Sequence, residues 1–194
     1  GLAGSPEGPH SRHLPLLRAG ASGGLALTHL IYTGNRKGKT SACVGQALRA
    51  VGQDLRVGFG QFIKRDVQAG EQRMLARLLG DDFCAGGLGF FRREEERPAQ
   101  RAAALRLLEW AEQRLPRLDM LVLDESLYAL RAELIARAEV ERLVAAAREA
   151  SCHLVLSGRD APDWLVDMAD LVTSMTEVKH PAARGVSAQR GIEF

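Results

Sequence analysis

The hydrophobic residues of this chain follow two alternating patterns. Short continuous apolar runs are typical of strands buried on both faces, and apolar residues at i, i+3, i+4 and i+7 are typical of helices with one buried face. The runs predict strands at Thr28–Tyr32, Arg56–Ile63, Leu118–Leu123, His153–Leu156 and Leu171–Val178. The helical periods predict a helix that follows the first strand and reaches about Ala50, and further helices at Glu71–Leu79, Pro98–Leu115, Glu139–Ala150 and Pro162–Met168. The glycine-rich stretch Asp81–Arg97 is predicted to be irregular.

This alternation predicts the fold class and the domain organisation. Apolar strands that alternate with helices are typical of a mainly parallel sheet covered by helices on both faces. We therefore expect an α/β fold with a single three-layer domain over residues 25–194. Residues 1–24 contain six Gly and three Pro and show no hydrophobic period, so we expect a flexible N-terminal arm there.

Composition and charge add few constraints. The chain is 46% hydrophobic and 26% charged, with a net charge of +2, and this balance gives no reason to expect a nucleic-acid partner. Neither a bilayer-spanning apolar run nor a signal-like apolar segment is apparent. Cys43, Cys84 and Cys152 match neither a disulfide framework nor metal-ligand spacing. The expectation is a cytoplasmic protein with reduced thiols and no membrane contact.

The segment from Thr33 to Ser41 reads TGNRKGKTS and lies between the first strand and the first helix. Backbone N–H groups of such a loop cradle phosphate oxygens, Lys39 adds a positive charge, and the Thr40 hydroxyl can hold Mg²⁺. A strict P-loop pattern would have Gly where this chain has Thr33. The alternative is a basic surface turn, but the flanking strand and helix favour a triphosphate-binding loop in a RecA-like P-loop fold.

Two carboxylates follow the predicted strand Leu118–Leu123. An apolar strand that ends in Asp124-Glu125 is the usual partner of a phosphate loop, where a carboxylate binds the Mg²⁺ that accompanies the triphosphate. The alternative is a solvated acidic turn. The residues leave open which of the two carboxylates contacts the metal.

Three other groups lie where the strands are predicted to end. Lys64 follows the second strand and is either a phosphate ligand or an exposed lysine. Arg159 follows the strand at His153 and either binds an oxyanion or forms a surface ion pair. The loop Cys84–Arg92 contains Phe90 and Phe91, which either lie against a flat ligand or pack in the core.

The ordered set of motifs resembles one enzyme family. The motifs are TGNRKGKTS, QFIK, Gly87–Phe90, VLDE with Tyr128-Ala129-Leu130, SGR at Ser157–Arg159, and the closing VKHPAARGVSAQRGIEF. Together, from about Leu25 to Phe194, they resemble the ATP:corrinoid adenosyltransferases of the bacterial cobalamin pathway. In that family Thr at the position of Thr33 is common.

The resemblance implies that Co(I) of a reduced corrinoid attacks the 5′ carbon of ATP and that the intact triphosphate leaves. It implies Lys39 and Phe90 as catalytic residues, with Phe90 displacing an axial cobalt ligand. The implied nucleotide ligands are Gly34, Asn35, Arg36, Lys37, Gly38, Lys39, Thr40, Ser41, Arg49 and Arg159. The implied ligands of Mg²⁺ (or Mn²⁺) are Thr40, Asp124 and Glu125. A homodimer and a flavodoxin-like flavoprotein reductant are implied partners.

Two positions depart from the family pattern. Arg36 stands where the family usually has Gly, and Arg92 stands where it has Trp. The alternatives are an ordinary P-loop kinase or NTPase, and a degenerate protein that binds nucleotide or corrinoid without turnover. Whether the corrinoid is complete cobalamin or a precursor is left open.

Overall fold

A parallel β-sheet forms the centre of the structure, a computed structural model that describes residues 27–65, 69–90 and 92–193. The predicted arm at residues 1–24 lies outside the described residues. The strands are β1 (His29–Thr33), β2 (Val57–Gln61), β3 (Phe83–Ala85), β4 (Met120–Asp124), β5 (His153–Ser157) and β6 (Leu171–Ser174). They are ordered β3-β2-β4-β5-β1-β6, and each neighbouring pair is parallel.

Helices cover both faces of this sheet. They are α1 (Lys39–Val51), α2 (Gly70–Leu79), α3 (Arg97–Arg114), α4 (Ser126–Arg131), α5 (Arg137–Glu149) and α6 (Asp163–Met168). Helices α1 and α2 pack in one hydrophobic cluster, and α3 to α6 pack in the other. No helix among the described residues has the length and apolar character needed to cross a membrane.

The strand β4 shows why the apolar runs are continuous. Leu121 and Leu123 belong to the cluster with α3 and α5, whereas Met120 and Val122 belong to the cluster with α1 and α2. All four side chains are buried. Because successive side chains of a strand point to opposite faces, a strand covered on both sides is apolar at every position. The predicted α/β class is confirmed, with a parallel sheet between two layers of helices.

Several predicted element bounds were wrong. The stretch Asp81–Arg97 contains β3, a strand of three residues at the sheet edge that is too short to show a period. Helix α4 follows the two carboxylates directly and was not predicted, for the same reason. Strand β2 ends at Gln61 because the backbone turns at Ile63, where φ is +41°. Strand β6 ends at Ser174 and not at Val178, and the following segment leaves the sheet.

Acidification is expected to destabilise the fold through His29, which is 4% exposed at the start of β1. Burial is the main cause that lowers the pKa of this imidazole, and it outweighs the nearby Asp170 carboxylate. The native state therefore binds fewer protons than the unfolded state. The free energy of unfolding should be unaffected by this group above about pH 6.5 and fall below it, by at most about 1.4 kcal/mol per pH unit.

Denaturant unfolding between pH 5 and 8 tests this expectation. The His29→Leu variant should lose part of the acid-side slope, while His180→Gln, a change outside the core, should keep it. An unchanged slope in His29→Leu would show that another group governs the acid response.

Candidate active site

The loop between β1 and α1 is shaped to bind an anion. Gly34 and Gly38 have φ of +106° and +116°, backbone values that residues with a side chain rarely adopt. Helix α1 begins at Lys39, directly after Gly38. The first N–H groups of a helix lack partners within it, and the helix dipole adds positive potential there. The loop and the start of α1 together form a site suited to phosphate oxygens.

Gly34 allows the loop to lie against the C-terminal part of the chain. A β-carbon at this position would lie 2.2 Å from the backbone oxygen of Met175 and 2.6 Å from its nitrogen. In addition, a residue with a side chain held at the φ of +106° seen at Gly34 is strained by roughly 1–3 kcal/mol. We therefore expect Gly34→Ala to displace the loop and to weaken ATP binding by about tenfold or more, as measured by calorimetry.

A second glycine provides the control for that variant. A β-carbon on Gly45 meets no atom within 4 Å, and alanine is favourable inside α1. Gly45→Ala should therefore bind ATP as the wild type does. Equal affinities of the two variants would contradict the importance of the loop conformation.

The Lys39 side chain lies against the loop. Its ammonium donates to the carbonyl oxygen of Gly34 at 2.7 Å and to that of Arg36 at 2.5 Å, and the residue is 6% exposed. Burial lowers the Lys39 pKa, and the nearby Glu125 carboxylate opposes this effect. An ammonium has three donors, so Lys39 can hold both carbonyls and still donate to an oxyanion.

Asp124, the last residue of β4, is held by hydroxyl and amide donors. Thr40 donates to Oδ2 at 3.0 Å and to Oδ1 at 3.3 Å, Ser157 donates to Oδ1 at 2.7 Å, and Gln61 donates to Oδ2 at 3.0 Å. The Lys64 ammonium lies 4.0 Å from Oδ2. Asp124 is 1% exposed, so these bonds occupy much of what the carboxylate can accept.

Glu125 lies beside it in a conformation uncommon for a non-glycine residue. Its φ is +59° and its ψ is +21°, and its N–H donates to Ser157 Oγ at 3.0 Å. Burial raises the pKa of Glu125, and the Asp124 charge acts in the same direction. A cation bound nearby would favour the ionised form.

These oxygens suit Mg²⁺, which in nucleotide sites binds through one or two carboxylates together with phosphate oxygens. The Thr40 hydroxyl donates to the Asp124 carboxylate, and Thr40 and Glu125 line the same cleft. Within the described part of the chain, no group of three or more His, Cys, Asp or Glu side chains could hold a metal ion. One hydroxyl and two carboxylates fit an ion whose remaining ligands are phosphate oxygens.

A cleft of about 1060 Å³ opens over the loop. Its walls carry both signs of charge. They come from the phosphate-binding loop before α1, from α2, from the glycine-rich loop that contains Phe90, and from the C-terminal residues 177–193. The lining residues that bear on this site are Arg36, Lys37, Gly38, Lys39, Thr40, Ser41, Lys64, Glu71, Phe90, Glu125, Arg159, Glu177, His180 and Glu193. Lys64 is paired with Glu71 at 2.8 Å.

The C-terminal segment, residues 175–193, contacts the phosphate-binding loop. Lys37 donates to the Ile192 carbonyl oxygen and to the Glu193 carboxylate, both at 2.8 Å. Arg36 lies 4.0 Å from Glu177. The bulky side chain at the usual glycine position is thus directed to an acidic residue of this segment. The sequence motif identified Arg36 and Lys37, and the family resemblance drew attention to the closing segment from Val178, but Glu177 was missed. No local pattern indicates that the chain end returns to the loop.

Phe90 projects from the glycine-rich loop into the cleft. It is 68% exposed, which excludes the core-packing alternative, and its ring meets Tyr128 edge to face at 5.3 Å. The loop backbone is fixed because Gly87 and Gly89 donate to the carbonyl oxygens of Lys64 and Ile63. Phe91 lies outside the described residues.

Three further predicted nucleotide ligands lie at different distances from the cleft. Arg159 is exposed and lines the cleft. Asn35 is exposed in the loop but does not line the cleft. Arg49 lies in the last turn of α1, about 15 Å along the helix from Lys39. The structure does not bring Arg49 together with the other predicted nucleotide ligands of this chain.

Two buried polar residues around Asp124 belong to the motifs QFIK and SGR, but sequence reasoning assigned neither of them a role. Gln61 and Ser157 are fully buried and end the strands β2 and β5. The signal was present, because a polar residue that ends an otherwise apolar strand at the carboxyl edge of a parallel sheet lies where ligands bind.

The parallel sheet, the glycine loop before α1 and the carboxylates at the end of β4 define a P-loop nucleotide-binding protein of the α/β class. Residues 27–194 match the family model described as "ATP:corrinoid adenosyltransferase BtuR/CobO/CobP". The chain belongs to this family.

Curated relatives agree with that assignment. A corrinoid adenosyltransferase from Sinorhizobium sp is 36% identical over 169 residues, covering 85% of this chain and 79% of the relative. One from Pseudomonas aeruginosa is 36% identical over 170 residues, covering 85% and 82%. The corrinoid adenosyltransferase CobA from Salmonella typhimurium is 36% identical over 169 residues, covering 85% and 84%.

Proposed function

We propose that this protein transfers the 5′-deoxyadenosyl group of ATP to the reduced cobalt of a corrinoid and releases triphosphate. Membership of the adenosyltransferase family carries this conclusion, and the phosphate-binding loop beside a large cleft supports it. The corrinoid is a substrate, and ATP is its co-substrate.

The loop and Lys39 would bind the triphosphate as a leaving group. Negative charge grows on the departing oxygen as the bond to the 5′ carbon breaks. The helix N-terminus and the Lys39 ammonium are preorganised donors for that charge. Lys64 and Arg159 line the same cleft and add positive potential.

Thr40 and Glu125 would hold Mg²⁺, and Asp124 would support them from behind. The ion would neutralise phosphate charge when bound. Asp124 already accepts bonds at both of its oxygens, so its role is to orient the Thr40 hydroxyl. Glu125 lines the cleft and is the carboxylate proposed to contact the ion.

The transfer step needs alignment more than proton transfer. A bond forms between cobalt and the 5′ carbon, and the bond between that carbon and the triphosphate oxygen breaks. The cobalt supplies the electron pair of the new bond, and the triphosphate leaves with the pair of the old one. No proton moves, so no general base is required, and the work of the site is to position the two substrates.

The reduction of Co(II) to Co(I) is the second demand on the site. The family resemblance implies that Phe90 displaces an axial cobalt ligand, and its exposed aromatic ring at the cleft wall supports this proposal. The family resemblance further supports a homodimer, a flavodoxin-like flavoprotein as reductant and a cytoplasmic location.

Product analysis tests the proposed function. The protein is incubated with ATP, Mg²⁺ and chemically reduced cobalamin. Inorganic triphosphate together with a light-sensitive cobalt–carbon bond is the expected result. Release of ADP or phosphate would instead identify a kinase or NTPase, and binding without turnover would identify a degenerate member of the family.

A further inference from the structure

We propose that Gln61 and Gln72 position the magnesium-binding edge of the active site through a buried pair of amides. This inference rests on the proposed function, because the proposed function places Asp124 and Thr40 at the site that binds MgATP. Neither glutamine lines the cleft; each acts through another residue and is a positioning residue.

The first amide contacts Asp124 directly. Gln61 ends strand β2 and is fully buried. Its Nε2 donates to Asp124 Oδ2 at 3.0 Å, the same oxygen that accepts from the Thr40 hydroxyl at 3.0 Å. Because the Thr40 hydroxyl donates its hydrogen bond to Asp124, the lone pairs of the Thr40 oxygen are available to a cation. The orientation of the Thr40 hydroxyl therefore depends on where Gln61 holds the carboxylate.

The second amide fixes the first. Gln72 lies in the first turn of α2 and is 1% exposed. Its Nε2 donates to Gln61 Oε1 at 2.9 Å and to the Arg65 carbonyl oxygen at 3.0 Å, and its Oε1 accepts from the Ala69 N–H at 3.0 Å.

These partners leave each amide one suitable orientation. If Gln61 were flipped, its oxygen would face the Asp124 carboxylate and its nitrogen would face the Gln72 nitrogen. Both contacts would be repulsive in a buried setting. Gln72 therefore forces Gln61 to present an N–H to Asp124, and it links that carboxylate to the backbone before α2. Outer partners of this kind commonly change metal affinity by about 10–100-fold when they are removed.

Methionine substitutions remove each amide and keep the length of the side chain. Calorimetry then measures ATP binding by each full-length variant over a series of Mg²⁺ concentrations and with the metal chelated. Gln61→Met should raise the Mg²⁺ concentration for half-maximal binding by about tenfold. Gln72→Met should raise it less, by about threefold, since Gln61 then only loses its constraint. Metal-free ATP affinity should stay within about twofold of the wild type in both variants.

Gln100 offers a matched control. It is also a buried glutamine, 7% exposed, and its amide donates to the Gly89 carbonyl oxygen in another part of the fold. Gln100→Met should leave the Mg²⁺ dependence of ATP binding unchanged. If Gln61→Met does not fold, as judged by its thermal transition, Gln72→Met provides the same test.

Two outcomes would overturn the proposal. An unchanged Mg²⁺ dependence in the folded variants would show that the amides do not position the site. An equal loss of affinity with and without Mg²⁺ would show a merely structural role. The proposed function fails separately: if the wild type binds MgATP and yields no triphosphate with reduced cobalamin, the transferase assignment is lost while the binding result still decides the role of the glutamines.

Discussion

Replacing Lys39 with alanine is expected to lower kcat/KM for adenosyl transfer by about a thousandfold or more. The ammonium is the most buried positive charge at the loop, and its neighbours are the carbonyl oxygens of Gly34 and Arg36. In a site shielded from water, a fixed charge next to the leaving group stabilises the transition state strongly. The measurement is the rate of triphosphate release with Co(I) supplied, so that reduction does not limit it.

Lys37 provides a graded comparison two residues away. Its side chain is 39% exposed and is paired with Glu193. An exposed ion pair of this type contributes little, so Lys37→Ala should lower the same rate by less than about tenfold. A Lys39→Ala variant that folds and keeps a rate within tenfold of the wild type would mean that this loop does not stabilise the leaving group.

The fold could be predicted because its causes are local. The run at Leu118–Leu123 is apolar since both faces of β4 are covered. The phosphate-binding loop was visible as a short motif between a strand and a helix, and the structure places Lys39 and Thr40 at the start of α1 as that motif implies. Periodicity and turn chemistry act within a few residues, so the sequence carries them directly.

The finer organisation of the site depends on residues far apart in the chain. The contact between Lys37 and Glu193 joins positions 156 residues apart, and the bond between Gln61 and Asp124 spans 63. Which carboxylate is already bound by hydroxyl and amide donors could not be decided from the motif alone. The structure decides it, because Ser157 and Gln61 end neighbouring strands on either side of β4.

The position of Arg36 follows the same logic. A bulky cation where the family usually has glycine suggested interference with the phosphate site. Its guanidinium lies 4.0 Å from Glu177, a residue of the C-terminal segment, and its side chain is 65% exposed. The loop glycines with positive φ are Gly34 and Gly38, so the conformation of the cradle does not depend on a third glycine at position 36.

Removing the ring of Phe90 is expected to impair adenosylation when the assay starts from Co(II) with a flavoprotein reductant, and to change it little when Co(I) is supplied. Among the aromatic pairs of the described residues, the exposed ring forms one, a T-shaped contact with Tyr128. Its removal should therefore alter stability by less than about 0.5 kcal/mol. If the ring displaces an axial ligand, its loss lowers the Co(II)/Co(I) potential, and each 59 mV reduces the Co(I) fraction about tenfold.

Leu88 supplies the control from the same glycine-rich loop. It is 39% exposed, it does not line the cleft, and only its backbone oxygen bonds to Arg65. Leu88→Ala should match the wild type in both assays. Equal losses for Phe90→Ala from Co(II) and from Co(I) would assign the ring to substrate binding in general, and no loss in either assay would remove it from the site. A selective loss from Co(II) would instead tie this aromatic ring to the reduction step, despite the arginine that follows at position 92.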